Sequence, residues 1–175
     1  SRVKFNAAII CTPTSLHIDN LIWCIKNGIN VFLEKPLSNN LKKIKLLENL
    51  LERKNVIHMM GFQMKFDPLV LYLKKFLNKP IKKLGKLNFV NINNGENIKN
   101  FHKYEDYKIS YAAKKSLGGG ILLSQIHEIE YFLDIFKDYK IIKYQTVQKK
   151  ISSLQIDVPD TFNGNFILKK KKDYV

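Results

Sequence analysis

The sequence predicts an α/β fold, in which half of a doubly wound parallel sheet is followed by part of an α+β region. Over the first 61 residues, short apolar runs alternate with segments of helical periodicity. This alternation is typical of parallel strands joined by right-handed crossover helices. Beyond a polar, turn-rich stretch at 78–86, strand-like segments flank one strong helical pattern, which predicts a mostly antiparallel sheet. We therefore expect two partial domains, residues 1–80 and 81–175.

Three strands are predicted in the first region from continuous apolar runs. They are AAIIC (7–11), NVFL (30–33) and VIHMMG (56–61). Runs of this kind favour strands that are covered on both faces, and we expect this of the first one.

Helices are expected between and after these strands. The first should begin near Ser15 and end at Gly28, where a left-handed carboxyl cap is wanted. Ser38 is the expected N-cap of the second helix. A third helix should run from Pro68 to about Leu77.

The second region contains three strand-like segments and one helix. KLNFVNIN (86–93) alternates in hydrophobicity, and IIKYQTVQKKI (141–151) and TFNGNFIL (161–168) are also expected to be strands. The helix lies in SLGGGILLSQIHEIEYFLDIF. Its apolar residues repeat at helical spacing and predict one core-facing stripe: Leu122, Ile126, Ile129, Leu133 and Phe136.

Charge and composition limit the classes of function. The formal charge of +15 favours anionic partners, but only Arg2 and Arg53 of the thirty basic residues are arginine, and the lysines are scattered. We therefore expect no nucleic-acid binding. The two cysteines, Cys11 and Cys24, are expected to be reduced core thiols. The chain has neither a long apolar run nor a secretory signal, so we expect no membrane contact and a soluble cytoplasmic protein.

The first candidate site lies in the loops that follow the three parallel strands. Ligands of open parallel sheets bind at the carboxyl ends of the strands, so these loops should bring Thr12, Glu34, Lys35 and Gln63 to one ligand. Burial at a strand end would lower the pKa of Lys35 and suit it to proton transfer. An ordinary surface lysine is the competing interpretation. Pro36 fixes the backbone beside Lys35, and a cis bond between them is one option.

The second candidate site is the glycine-rich stretch with the helix that follows it. Three consecutive glycines allow close backbone approach just before a helix amino terminus. His127, Glu130 and Asp134 fall on one helical face, where a carboxylate would raise the pKa of the histidine. A structural histidine or a solvated charged face explains the same pattern equally well.

The other histidines and the tyrosines are weaker candidates. His17, His58 and His102 are far apart, and no pair has metal-ligand spacing, so we predict no metal site. Tyr111 and its neighbouring tyrosines are able to bind a polar substrate, although packing residues with a satisfied hydroxyl are more common.

Four stretches, in this order, resemble the Gfo/Idh/MocA family of nicotinamide-dependent oxidoreductases. They are AAIICTPTSLH, GINVFLEKPLS, GFQMKFDP and LGGGILLSQIHEIEYF. The resemblance implies a Rossmann domain joined to an α/β substrate domain with a mostly antiparallel sheet. It also implies hydride transfer between NAD or NADP and a carbohydrate hydroxyl or ketone, and a homo-oligomer formed through the second-domain sheet.

The resemblance also implies roles for individual residues. The catalytic groups would be Lys35, which binds the substrate hydroxyl and assists proton transfer, and His127, which acts as or supports the acid–base group. Glu34 would lie at the nicotinamide ribose. The other cofactor-binding residues would be Thr12, Pro13, His17, Pro36 and Gln63, and the other substrate-binding residues would be Tyr111 and Gly119.

The chain departs from the family pattern in two places. Many members carry an aspartate where this chain has Leu123, and Ser124, Glu128 or Glu130 would have to compensate. No GxGxxG lies before residue 7, so we expect an internal fragment that lacks the pyrophosphate turn and leaves NAD or NADP undecided. The HEIEY variant is similar to members associated with surface-sugar biosynthesis, which implies an amino sugar or a nucleotide-linked sugar as substrate. The alternatives are a non-catalytic sugar- or partner-binding protein of the same fold and an inactive truncated fragment.

Overall fold

The computed structural model describes residues 4–77 and 87–170, together with the backbone of 173–174. The predicted domain boundary at 78–86 lies outside the described residues. The strands are β1 (Ala7–Ile10), β2 (Asn30–Leu33), β3 (His58–Met60), β4 (Lys140–Lys149), β5 (Thr161–Lys170) and β6 (Asp173–Tyr174). The helices are α1 (Thr14–Lys26), α2 (Ile44–Arg53), α3 (Pro68–Leu77), α4 (Ile121–Ser124) and α5 (His127–Ile135).

The first sheet is parallel, with the strand order β1-β2-β3. Ile10 is paired with Leu33, and Leu33 with Met60, so the three strands end at one edge. Helices α1 and α2 connect successive strands and contact each other. Strands that are adjacent in both sequence and space, joined by helices, confirm the predicted α/β class.

One face of this sheet carries the core. Val31 and Leu33 of β2 pack with the apolar side of α1, where Ile25 is completely buried, and with Leu47 of α2. On the opposite face Ile9 is 75% exposed. The expectation that β1 is covered on both faces was wrong for the described chain, because both connecting helices cover the same face. Cys24 belongs to the core as expected, whereas Cys11 is exposed; both thiols are free.

The ends of the helices differ from the prediction mainly in α2. Helix α1 is followed by Gly28 in the predicted left-handed conformation, with φ +69°. The expected N-cap role of Ser38 was wrong, since α2 begins only at Ile44. The Ser38 hydroxyl instead accepts a hydrogen bond of 3.3 Å from the backbone of Asn40, which closes a turn before the helix. Leu41 is 89% exposed as a result.

The second sheet is antiparallel, with the order β4-β5-β6 and a register shift near Ile141 and Lys143. The two long strands were predicted. The expected strand at 86–93 was wrong for residues 87–93, which have no regular secondary structure. A strand needs a hydrogen-bonded neighbour, and within the described ranges none pairs with this segment. No helix in those ranges is long and apolar enough to cross a membrane.

The predicted long helix of the second region is broken in two. Gln125 has φ −105° and ψ 43°, which ends α4 before α5 starts at His127. The break rotates the two halves relative to each other, so the expected core-facing stripe was only partly correct. Phe136 is buried, but Leu133 is 46% exposed.

Candidate active site

The loops after β1, β2 and β3 lie side by side, as their positions in a parallel sheet require. The Glu34 amide donates to Ile10 with a bond of 2.9 Å, and the Gly61 amide donates to Leu33 with one of 2.8 Å. A Cβ atom on Gly61 would lie 3.1 Å from a carboxylate oxygen of Glu34. The bond between Lys35 and Pro36 is cis. The backbone therefore presents Glu34 and Lys35 at the open edge of the sheet.

His17 joins the first two of these loops. Its side chain is buried, with Nδ1 2.6 Å from the Pro36 carbonyl and Nε2 2.7 Å from the Thr12 carbonyl. Both ring nitrogens are thus within hydrogen-bonding distance of backbone oxygens. The ring therefore holds the loops after β1 and β2 together. Because the ring is buried, a ligand at the sheet edge would contact these loops and not the His17 nitrogens.

The remaining predicted cofactor residues lie around the same edge. Thr12 is exposed, and its hydroxyl accepts a 3.2 Å hydrogen bond from Asn20. Pro13 immediately precedes α1, and Pro36 is buried. Gln63 is exposed at the start of a short 3₁₀ turn after β3.

The glycine-rich stretch brings the second region onto this edge. Gly118 has φ +79°, and a Cβ atom there would lie 2.8 Å from the Thr14 Cβ and 3.0 Å from the Asn39 Cβ. Gly119 is enclosed by its own loop, because a Cβ there would lie 2.4 Å from the Tyr111 carbonyl oxygen. A side chain at Gly118 would separate the loop from α1, and one at Gly119 would clash within the loop itself.

Lys35 connects the two regions through its side chain. Its Nζ donates a hydrogen bond of 2.6 Å to the carbonyl oxygen of Ser124, the last residue of α4. Burial lowers the pKa of Lys35 below that of an ordinary lysine, and the nearby carboxylates of Glu34, Glu128 and Glu96 oppose that shift. The predicted direction of the shift agrees with this environment.

His127 lies in the same cluster. Burial lowers its pKa, and the charge of Lys35 lowers it further, while Glu128, Glu130 and Glu34 act in the opposite direction. Its Nδ1 is buried and has no hydrogen-bond partner among the described residues. Its ring is nearly perpendicular to that of Phe62, with centroids 6.4 Å apart. The neighbouring carboxylates act upward on this pKa as expected, but desolvation and the charge of Lys35 outweigh them, so the net shift is downward.

The two acidic residues predicted to accompany His127 are paired elsewhere. Glu130 is buried and lies 2.9 Å from the ammonium of Lys65, in the loop after β3. Asp134 lies 2.6 Å from Lys74 of α3. Both carboxylates therefore tie α5 to the first region instead of orienting the histidine.

Tyr111 is half-buried close to this cluster. Its pKa is raised, first by burial and then by the charge of Glu34. On its other side lies His102, which is stacked on the exposed ring of Tyr104 and bound to Glu105 through Nδ1 at 2.7 Å.

A polar network beside Lys35 was not predicted. The amide of Asn94 donates to Gln125 at 3.1 Å and to Glu128 at 2.8 Å, and Gln125 in turn donates to Glu96 at 3.0 Å. Asn94 and Glu96 come from the irregular segment before residue 98, where no periodic pattern marks a site. Only the fold shows that this segment reaches Lys35.

Residues 1–62 match the family model described as "Oxidoreductase family, NAD-binding Rossmann fold", GFO_IDH_MocA. Among curated proteins, the chain is 29% identical to 2,7-anhydro-N-acetylneuraminate hydratase of Mediterraneibacter gnavus over 130 residues, 74% of this chain and 33% of the relative. It is 41% identical to scyllo-inositol 2-dehydrogenase (NAD(+)) of Bacillus subtilis over 63 residues, 36% of this chain and 18% of the relative. The aligned part is thus a third or less of either relative.

Solved structures share the fold over nearly the whole chain. Myo-inositol 2-dehydrogenase from Lactobacillus plantarum superposes with a TM-score of 0.72 at 20% identity, covering 95% of this chain and 48% of that one. The WlbA dehydrogenase from Bordetella pertussis, solved in complex with NADH and UDP-GlcNAcA, gives 0.70 at 18% identity, covering 95% and 45%. Residues 1–62 thus match the Gfo/Idh/MocA oxidoreductase family in sequence, and the chain as a whole shares the fold of these solved dehydrogenases.

Proposed function

We propose that the protein transfers a hydride between NAD or NADP and a hydroxyl or ketone of a sugar. The observation that carries this proposal is the position of Lys35. A half-buried ammonium at the carboxyl end of a parallel strand lies beside His127, whose buried Nδ1 has no partner in the described chain. Two groups able to exchange protons at one sheet edge suit the interconversion of an alcohol and a ketone.

The residues at this edge fit the nicotinamide half of such a cofactor. Glu34 faces Gly61, which has no side chain to cover the carboxylate, and Thr12 and Gln63 are exposed beside it. Glu34 would accept hydrogen bonds from ribose hydroxyls, and the other two would contact the nicotinamide end. The bound cofactor would accept or supply the hydride, as is general for nicotinamide chemistry.

The chain itself handles the substrate proton. In the oxidative direction the neutral amine of Lys35 takes the proton of the reacting hydroxyl; in the reverse direction its ammonium returns it. A lowered pKa makes the neutral amine available nearer to neutrality. His127 lies next to the same oxygen in this scheme, as a second proton carrier or as a group that orients Lys35. Tyr111 is a further candidate for a hydrogen bond to the substrate.

The names of the relatives support a sugar or nucleotide-linked sugar as substrate. They include levoglucosan dehydrogenase and several inositol dehydrogenases, and WlbA was solved with a UDP-linked sugar. Because the aligned part covers less than half of these proteins, the substrate remains a proposal. The absence of nucleic-acid binding and a cytoplasmic location also stay predictions from composition.

We also propose the domain assignment and an oligomer formed by the second sheet. Residues 1–80 would bind the dinucleotide and 81–175 the sugar. Every residue of β4 is exposed, including Ile142 at 51% and Tyr144 at 69%, which supports a covering partner. Light scattering of Tyr144→Lys beside the parent chain tests this, and an unchanged mass would contradict it.

Turnover of a sugar panel with NAD+ or NADP+, followed at the nicotinamide absorbance, tests the hydride transfer. Lys35→Met should lower kcat by about a hundredfold or more, because a positioned acid–base group contributes about that much. Lys45→Met, on the exposed side of α2, is the matched control and should retain full activity. Unaltered turnover in Lys35→Met would refute the role of the lysine. Sugar binding with no dinucleotide-dependent turnover would favour the non-catalytic alternative.

A further inference from the structure

A cavity of about 510 Å³ opens beside the candidate active site. It lies between α4, the irregular segment that contains Glu96 and the turn that precedes β5. Its size is in the range of pockets that hold small ligands. The lining residues used below are Glu96, Lys99, Gly120, Ser124, Gln125 and Asp160.

Ser124 connects this cavity to Lys35. The residue is 6% exposed, its carbonyl accepts the Lys35 hydrogen bond, and its hydroxyl has no hydrogen-bond partner in the described chain. A buried hydroxyl without a partner is costly and rare in folded proteins. A ligand group in the cavity would satisfy it at the same residue that holds the candidate catalytic lysine.

The wall next to Ser124 is acidic. Gln125 donates to Glu96, and Asn94 links Gln125 to Glu128. Glu128 does not line the cavity, but one of its carboxylate oxygens is buried without a partner in the described chain, and Glu96 and Glu128 both act electrostatically on Lys35. These groups favour a ligand that donates hydrogen bonds or carries positive charge.

The opposite wall of the cavity does not add a net positive charge. Asp160 accepts hydrogen bonds from the backbone amides of Ile151 and Ser152, and its pKa is lowered to about 2. Lys99 is the cation among the lining residues, and its ammonium lies over the ring of Tyr107 at 5.8 Å. The charged residues that line the cavity are therefore two carboxylates and one ammonium, in a chain of formal charge +15.

We propose that this cavity is a substrate subsite that binds an uncharged or cationic, hydroxyl- or amine-bearing part of the sugar and disfavours an anionic one. Ser124 and Gln125 would bind ligand hydroxyls, and Glu96 would accept hydrogen bonds from hydroxyl or ammonium groups. The subsite rests on the proposed function, since it names the class of sugar used by the same site. The predicted preference against anionic sugars is the opposite of what the net charge alone would give, because a chain of formal charge +15 attracts anions at long range.

Three matched pyranoses test the subsite by calorimetric or NMR titration without dinucleotide: glucosamine, glucose and glucuronate. We expect glucosamine to bind most tightly and glucuronate most weakly, with about tenfold or more between the extremes in ordinary buffer salt. Glu96→Gln should weaken glucosamine binding about tenfold and leave glucuronate unchanged or improved. Ser124→Ala keeps the backbone carbonyl and should weaken glucosamine and glucose alike, by about fivefold.

Glu48→Gln is the matched control, because it removes the same charge from the exposed side of α2 and should change none of the three affinities. Glucuronate binding as tightly as glucosamine, or an unchanged glucosamine affinity in a folded Glu96→Gln variant, would overturn the subsite. If the protein turns over NAD(P) but prefers glucuronate, the subsite proposal is wrong and the proposed function stands. If it shows the predicted sugar preference but no NAD(P) turnover, the proposed function is wrong and the subsite proposal stands.

Discussion

The Lys35 ammonium donates a hydrogen bond of 2.6 Å to the carbonyl oxygen of Ser124, although 89 residues separate them in the chain. Lys35 lies two residues after the second strand of the parallel sheet, and Ser124 is the last residue of a short helix of the second region. The candidate active site is therefore assembled between the two regions. A movement of either one would change the position of the lysine.

The pKa of Lys35 should appear in the pH profile of the reaction. Oxidation of the sugar requires the neutral amine, so kcat should rise with pH through the Lys35 pKa, at a lower pH than an exposed lysine would give. Glu96→Gln removes one of the carboxylates that stabilise the ammonium. Its profile should therefore shift to still lower pH. A rate that is independent of pH between about 6 and 10 would contradict proton transfer by Lys35.

Much of the first region could be predicted from local signals. Strand β2 and helix α3 match their predicted ranges, because an apolar run and a proline at a helix start depend on nearby residues alone. The juxtaposition of Thr12, Glu34 and Lys35 followed from the parallel topology. Two neighbouring strands imply one common edge, whatever packs against it later.

The rest depends on contacts between distant segments, which no local pattern records. The break at Gln125 interrupts an apolar periodicity that reads as one continuous helix. Glu96 lies in an irregular segment, and one amide hydrogen bond from Gln125 holds it near Lys35. The partner of Glu130 is Lys65, on another element, although His127 is nearer along the helix. In each case a contact between distant segments determined the structure, and the local sequence pattern did not.

His127 should make the protein sensitive to acid. Burial disfavours its protonated form, so the folded pKa is below the unfolded one, and unfolding takes up a proton between the two values. Stability should therefore fall as the pH drops from about 6.5 through the lowered pKa. The Tm of His127→Gln should fall less than that of the parent chain when the pH is lowered from 7.5 to 5. Both proteins share the other titrating groups, so equal losses would contradict the assignment.

Gly→Ala variants at three positions distinguish the cost of backbone strain from the cost of a steric clash. Gly118 has a positive φ and close neighbours, Gly28 has a positive φ with nothing within 4 Å of an added Cβ, and Gly95 has neither. Left-handed alanine costs about 1–2 kcal/mol, and the clash with Thr14 adds to that only at position 118. Urea unfolding should rank the losses Gly118, then Gly28, then Gly95, with the last near zero. Equal losses at 118 and 28 would show that the loop does not press on α1.

The pair between Lys65 and Glu130 should stabilise the fold more than an exposed pair does. Glu130 is 8% exposed, and its carboxylate lies 2.9 Å from the Lys65 ammonium. Lys65→Met would leave a buried carboxylate without its partner; this costs about 3–5 kcal/mol where both partners are buried, and we expect less here because the Lys65 side chain is 42% exposed. The ion pair of Lys43 with Asp19 is about half exposed on both sides and serves as the control. Lys43→Met should cost about 1 kcal/mol or less.

Urea unfolding of both variants measures this difference. The double variant with Lys65→Met and Glu130→Gln should recover part of the loss, because it removes the unpaired charge and not only the contact. The recovery distinguishes a desolvated carboxylate from lost packing of the lysine stem. If Lys65→Met costs no more than Lys43→Met, Glu130 must find solvent or another donor, and the contact between α5 and the loop after β3 would be weaker than its geometry indicates.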